Sequence, residues 1–375
     1  MKLRAGSKNL VSKKMKSYKK SFTLPFKFDI PNYTQDFINN NSLIAIFSKF
    51  LRRSIYLLLK NQSKLEIHKI KPSHKKILWI NLSAPSLGDS LMDLSSRILL
   101  KDRIIDLYTD KKNSHLFIND GVFNNIFSQA DELRTISYDL VILDSYSSRT
   151  IKVKSNLLPL TSFVGMYGYY NGPEVNRVLF GFHRMNQLLG YIKSEEEINQ
   201  TAKALLSISN EDNQLVRNLK LPEDYISIAI GGEWVYRTYN NWEELIKKLI
   251  YREPQLKIVL VGSSNASRFA NELIEKIPPA NLISCVNKFS FKQTAAIINK
   301  SRFLICCDGG LMHAANALKT PILPLFARLT PQMQLTDVIT SFSLFDDEDV
   351  NNIEVSSILS QYRKLTSYVH NHLQA

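Results

Sequence analysis

Cysteine is scarce in this sequence: three in 375 residues, with Cys285 alone and Cys306 next to Cys307. No CxxC pair or Cys/His cluster occurs, which argues against a disulfide framework and a structural zinc site. The thiols are expected to be small buried groups in a reducing setting. Long hydrophobic runs are also missing. No stretch of about 18 apolar residues is free of charge, so no membrane-spanning helix is expected. The first residues, MKLRAGSKNLVSKKMKSYKK, are cationic but lack a following apolar run, so they do not read as a signal peptide and a cytoplasmic location is expected. No repeat of solenoid period is present.

Acidic residues are nearly absent from one end. Residues 1–76 carry 18 Lys/Arg against 3 Asp/Glu, a balance of +15. The other 299 carry 30 against 31, a balance of −1. The formal charge of +14 therefore sits on an extension, and the rest is near neutral. A nucleic-acid groove needs cations on the main fold, so nucleic acid is not the expected partner. Aromatic residues in the extension keep an RNA-binding arm as a minor alternative. With 44% hydrophobic residues the chain can bury two cores, because single domains rarely exceed roughly 250–300 residues.

Within the extension (1–75), residues 1–20 are rich in Lys and Ser and are expected to be disordered. Residues 42–60, SLIAIFSKFLRRSIYLLLK, differ. At about 100° per residue, Leu43, Ile44, Ile46, Phe47, Phe50, Leu51, Ile55, Leu57 and Leu58 fall on one broad face. Lys49, Arg52, Arg53 and Lys60 fall opposite. Such a helix can lie on an anionic bilayer, apolar side down. The alternatives are that the apolar face packs on the protein's own body or on a protein partner.

From Ile77 the pattern is one of short apolar runs alternating with helical stretches, which indicates an α/β fold with parallel sheets. Strands are expected at Ile77–Leu82, Ile104–Tyr108 and Tyr138–Leu143, with a helix over Leu91–Leu100. A second series begins near residue 222. Its expected strands are Tyr225–Ile230, Lys257–Val261, Arg302–Cys307 and Pro321–Phe326. Its expected helices are Asn241–Tyr251, Ala266–Lys276, Phe291–Asn299 and Gly310–Leu318. A helix over Glu195–Ser207 lies in the less regular middle. The expected division is a first α/β domain at 76–215, a second at 222–345, and a tail at 346–375 that packs back on the first domain as a helix. Ligands of open α/β sheets bind beyond the carboxyl ends of the strands. That rule points to the loops after Leu82, Ile230, Val261 and Cys307.

Two of these loops carry chemistry. In Cys307-Asp308-Gly309-Gly310-Leu311-Met312-His313 a strand runs into an acid, and two glycines open a helix. Glycines let a ligand approach the backbone, and the helix start offers unpaired N–H groups to phosphate. Asp308 can hold sugar hydroxyls, with His313 in the first turn. An ordinary N-cap and an ordinary helix histidine are the plain alternatives. In Ser86-Leu87-Gly88-Asp89 a carboxylate stands at a strand-to-helix loop, where it can act as general base on an incoming hydroxyl. Capping is again the alternative.

Taken together, SLGD after the first strand and DGGLMHAANALKTPILPLF near the end of the second half resemble glycosyltransferase family 9, the ADP-heptose:lipopolysaccharide heptosyltransferases. Asp308, Gly310, His313, Ala315, Ala317 and Pro321 fall in register with the family's motif. YDLVILDSYSSRT and GGEWVYRTYNNWEELIKKL are similar to further family segments, and the resemblance covers roughly 76–330. It implies a GT-B fold: two Rossmann-like domains facing a cleft, here with the basic extension added. It implies that Asp89 is the catalytic base and that Asp308 contacts the donor sugar. Gly309, Gly310 and Leu311 would present N–H groups to the diphosphate beside His313. The family's usual lysine after the first strand of the second half is missing, and Arg237 is its nearest substitute. The usual ribose-binding Glu is replaced by Gly262-Ser263-Ser264-Asn265, so Ser264 or Asn265 takes that place. Ala327 stands where a Gly is usual. No cofactor and no metal are implied. The implied partners are a nucleotide-sugar donor, a lipopolysaccharide core glycolipid acceptor, and an anionic membrane surface met through residues 42–60. The implied site is the inner membrane of a Gram-negative bacterium. Another donor on the same fold, a GT-B scaffold without turnover, and a sugar epimerase of the same architecture are the alternatives.

Overall fold

The computed structural model describes residues 18–19, 21–26, 43–172 and 174–373. The expected disorder of residues 1–20 therefore falls almost wholly outside the described residues. Backbone contacts divide the chain into two compact units. The first takes the described residues up to Pro85 together with Asp93–Ile198, and the second takes Ser86–Met92 with Asn199 onward.

The first unit opens with helix α1 (Leu43–Leu59) and strand β1 (Lys76–Asn81). Helix α2 (Leu87–Asp93), which counts with the second unit up to Met92, follows in the chain, and the first unit resumes with strands β2 (Ile104–Thr109), β3 (Phe123–Phe127) and β4 (Leu140–Ser145). Helix α3 (Ser148–Leu157), strand β5 (Phe163–Gly168) and helix α4 (Arg177–Leu189) complete it. The sheet is parallel in the order β3-β2-β1-β4-β5. β1 and β4 are interior strands, buried throughout except for Lys76 at the start of β1, which is why they read as continuous apolar runs.

In the second unit the strands are β6 (Ile226–Ala229), β7 (Ile258–Val261), β8 (Leu282–Ser284), β9 (Leu304–Cys307), β10 (Ile322–Ala327) and β11 (Leu344–Asp346). Their order is β11-β10-β9-β6-β7-β8, again parallel. The helices between them are α5 (Trp242–Arg252), α6 (Ser267–Lys276), α7 (Phe291–Lys300) and α8 (Gly310–Leu318), and α9 (Val355–Leu373) closes the unit. Trp242, Leu245 and Leu249 of α5 are fully buried against the sheet, as their spacing predicts. The three cysteines are buried free thiols.

In the tail, Ile358, Leu359, Tyr362, Leu365 and Val369 of α9 join the core of the second unit. Three expectations change. The helix expected over Leu91–Leu100 is instead α2 followed by a 3-10 turn at Ser95–Leu100. Asp93, the last residue of α2, accepts from Tyr167 Oη and Arg177 Nη1, both at 2.9 Å. The helix from Glu195 ends at Thr201. Beyond it Ala202, Ala204 and Leu206 are buried alternately, so packing imposes an extended period of two on helix-forming residues. Strands β3, β5, β8 and β11 were not expected at all.

The amphipathic helix forms, but its apolar face splits. Ile46, Phe50 and Leu57 are buried in the first unit, while Ile44, Phe47, Leu51, Ile55, Leu58 and Leu59 remain exposed. Arg53 does not join the other cations in solvent. It turns inward and donates to the carbonyls of Tyr169 and Tyr170 at 2.7 and 3.0 Å. Burial lowers its pKa. The alternative of packing on the protein's own body is therefore true of one side of α1 only.

Candidate functional site

Each sheet has one place where strand order reverses, and there the loops beyond the carboxyl ends diverge and leave room for a ligand. In the first unit it lies between β1 and β4. The loop leaving β1 is fixed by the residues that end β4. Asp144 is buried and accepts from the N–H groups of Leu82 and Ser83 at 2.7 and 2.6 Å. It also accepts from the Ser145 N–H and the Thr150 hydroxyl, at 2.5 and 3.1 Å. Burial still raises its carboxyl pKa above the usual range, against the effect of those donors. The Ser83 and Ser145 hydroxyls meet at 2.8 Å. Arg149 donates to Leu82 O at 3.2 Å and Lys112 to Pro85 O at 2.7 Å.

In the second unit the reversal lies between β6 and β9. The loop after β6 turns at Gly231, whose φ of +89° is a left-handed conformation that suits glycine. It then folds onto itself: a Cβ on Gly232 would stand 2.4 Å from Thr238 Oγ1. This brings Arg237 to the end of β9, where its Nη1 lies 3.0 Å from Asp308 Oδ2. His313 Nε2 lies 3.8 Å from Asp308 Oδ1. The pair is nearly sealed, with Asp308 only 7% exposed. Even so, Arg237 Nε and Asp308 Oδ2 complete no hydrogen bond. Buried polar groups of native proteins rarely stay so, and such orphans mark places that a ligand or water fills.

Gly309 carries extended backbone, a Cβ there would meet nothing within 4 Å, and no side chain caps α8. The N–H groups of Gly310 and Leu311 therefore begin a helix without a capping partner, at its positive end. Ser264 stands exposed after β7. Its neighbour Asn265 is committed to the loop after β6, donating to Gly232 O at 2.9 Å.

The segment Ser86–Met92 belongs to this second unit. Ser86 Oγ donates to Asp89 Oδ2 at 2.6 Å and accepts from the Asp89 N–H at 3.1 Å, so the hydroxyl supplies the cap and the carboxylate is oriented by it. Gly88 packs on the second motif: a Cβ there would stand 2.6 Å from His313 Cδ2 and 3.5 Å from Gly310 Cα. Thus SLGD and DGG, some two hundred residues apart in the chain, meet. Asp89, His313, Asp308 and Arg237 are brought together, while Ser264 lies on the neighbouring loop.

Two groups were missed by sequence reasoning. Asp144 bonds residues some sixty positions away, which no local pattern marks. Arg328 has a left-handed backbone (φ +65°) and lies 3.8 Å from the centroid of the Tyr236 ring. The replacement of the usual Gly by Ala327 was the one signal there, and the strained conformation falls on the next residue. Among the described residues no group of His, Cys, Asp and Glu is arranged to hold a metal ion. No helix among them is long and apolar enough to cross a membrane.

The model of glycosyltransferase family 9 (heptosyltransferase) matches residues 174–341. Among solved structures, a family 9 glycosyl transferase from Veillonella parvula aligns with a TM-score of 0.66 at 14% identity, over 79% of this chain and 98% of that one. The ADP-heptose lipopolysaccharide heptosyltransferase II of E. coli aligns with a TM-score of 0.62 at 20% identity, over 77% and 98%. The E. coli heptosyltransferase WaaC, solved with ADP, aligns with a TM-score of 0.57 at 15% identity, over 78% and 98%. No curated protein sequence matches the chain. Identities this low carry the fold alone, and that fold is GT-B, the one the motifs led us to expect.

Proposed function

We propose that this chain, a glycosyltransferase whose residues 174–341 match the family 9 model, moves a heptose from ADP-heptose to a lipopolysaccharide core acceptor with inversion at the anomeric carbon. The observation that carries this reading is the packing of Gly88 on His313 and Gly310. It gathers a carboxylate fit to take a proton and groups fit to hold a sugar diphosphate within one unit.

In this mechanism the acceptor hydroxyl oxygen forms a bond to the anomeric carbon while the bond from that carbon to the diphosphate oxygen breaks. The bonding electron pair leaves with the diphosphate. The hydroxyl proton passes to Asp89, whose carboxylate the Ser86 hydroxyl holds in place. Arg237 and the N–H groups of Gly309, Gly310 and Leu311 face the charge that grows on the leaving group, where preorganised donors lower the barrier most. Asp308 holds donor hydroxyls and keeps Arg237 in place. Ser264 serves the ribose, and His313 lines the floor beneath the diphosphate.

The acceptor is anchored in the inner membrane of a Gram-negative bacterium, and the exposed row of α1 is the surface that meets its anionic inner leaflet. Ile44 and Leu59 are 77% and 73% exposed, an area of apolar surface that supports this use. The enzyme then works from the cytoplasmic side as a peripheral protein.

A thermal-shift panel of ADP-, UDP-, GDP- and CMP-sugars tests the donor: ADP-heptose should stabilise the protein, and a response to a UDP-sugar instead would overturn the assignment. Asp89→Ala should lower transfer by about 10³-fold while keeping the ADP-heptose shift. Undiminished turnover in that variant would remove Asp89 from the mechanism.

A further inference from the structure

Arg328 stands at the carboxyl edge of the second sheet and has no part in the mechanism above. It follows β10, the neighbour of β9, whose end carries Asp308. Its φ of +65° is a conformation that non-glycine residues seldom adopt. Side chains held in such backbone concentrate at functional sites, where the surroundings enforce the strain.

The restraints on Arg328 are all visible. Its N–H donates to Asp346 O at 3.2 Å and its Nε to Glu348 O at 3.2 Å. Its guanidinium lies 3.8 Å from the centroid of the Tyr236 ring. The same ring has the Arg237 guanidinium 5.4 Å from its centroid. Two cations thus share one aromatic ring where β6, β9 and β10 end. They differ in how their charge is used. Arg237 is paired with Asp308, so much of its charge is offset. Arg328 is exposed, and among the described residues no acid pairs with it and no group accepts from its Nη nitrogens. A planar fork of unspent donors, steadied on a ring, suits a phosphate group.

We propose that Arg328 is a second diphosphate-binding cation of the donor site, acting beside Arg237; this rests on the nucleoside-diphosphate-sugar reading above. Arg237, its charge partly offset by Asp308, donates to the leaving group beside it. Arg328 supplies the net positive charge that a departing diphosphate requires. Its reach is set by Tyr236 and by the strained turn. A lysine at the position keeps the charge but loses the fork and the stacking.

Calorimetry on the full chain tests this, with ADP as probe and adenosine as the phosphate-free control. Arg328→Met should weaken ADP about tenfold and leave adenosine unchanged, with Arg328→Lys recovering part of the loss. Equal losses for ADP and adenosine would mean that the residue only braces the turn at 346–349, and would overturn the proposal. So would ADP binding that Arg328→Met leaves intact while the wild type binds ADP normally. A wild-type chain blind to ADP would overturn the donor reading itself, and this proposal with it.

Discussion

The loop leaving β1 and the loop leaving β6 occupy equivalent places in two similar sheets, yet their polar groups are spent differently. In the first, Asp144 takes the N–H groups of Leu82 and Ser83, and Arg149 and Lys112 take the carbonyls of Leu82 and Pro85. In the second, Arg237 Nε is buried without a hydrogen bond. Trp234 and Val235 stand 55% and 83% exposed on the same loop. A loop whose backbone groups at Leu82, Ser83 and Pro85 are held by protein side chains is a mount, fixed in one geometry before any ligand arrives, even though Asn81 at the end of β1 keeps both amide atoms unpartnered. A loop with an orphaned donor and an uncovered aromatic is completed by what it binds. On this contrast the first sheet fixes the strand that leads to Asp89, and the loop after β6 is the one left for a ligand, as the proposed donor site requires.

The contrast breaks most sharply at Gly88, where the two motifs touch. Gly88→Val would put a branched side chain into the space of His313, whose ring is buried and cannot swing away. Transfer from ADP-heptose should fall by about 100-fold, because displacement of a reacting group by an ångström costs that much. ADP affinity, measured by calorimetry, should change far less. Near-normal transfer would show that the close approach of SLGD to DGG has no part in catalysis.

A smaller effect is expected from the mount. Asp144→Asn replaces an acceptor of four bonds with a group that must present an N–H to at least one backbone N–H. The first unit should lose about 1–3 kcal/mol of stability, as for other buried groups left unsatisfied. Transfer should drop about tenfold in kcat with donor KM unchanged. If donor KM rose and kcat held, Asp144 would belong to binding and the distinction between mount and donor site would fail.

Much of this architecture could be read from sequence where one signal sufficed. β1, β4, β6, β7 and β9 are buried on both faces, so each appears as an unbroken apolar run ended by turn residues. α8 begins at Gly310 and ends at Leu318, the expected bounds, because two glycines mark its start. The same glycines flagged the second motif, and a carboxylate at a strand-to-helix loop flagged the first. What stayed hidden depends on contacts distant in sequence. β5, FVGMYG, has two glycines that local propensity counts against a strand. The 202–209 stretch takes its period from neighbours. Arg53 belongs to the cationic face by its position on the wheel, yet the Tyr169 and Tyr170 carbonyls recruit it. Arg328 is one more surface cation until the backbone shows its handedness. The chemistry of the site was visible as residue types, whereas the pairing that gives them a role was not.

The smallest expected effect tests whether the first unit is as dry beneath its loop as the closed bonding implies. Lys154 lies on α3, one turn beyond Thr150, with no exposed surface. Its Nζ donates to Gln62 Oε1 and lies 5.1 Å from the centroid of the Phe163 ring. Burial lowers its pKa to about 8, from an ordinary 10.5. The unfolded chain therefore binds more protons than the folded one between those values, and stability must rise with pH across that window. Below about 8 the amine is charged in both states and the folded protein bears the whole desolvation cost, about 3 kcal/mol at most. Lys154→Met has no such titration. The stability of the wild type relative to this variant, from denaturant unfolding, should climb between pH 8 and 10, with ADP affinity unaltered throughout. A difference that stays flat with pH would mean that water reaches the amine, and that the first unit is held less tightly than its hydrogen bonds imply.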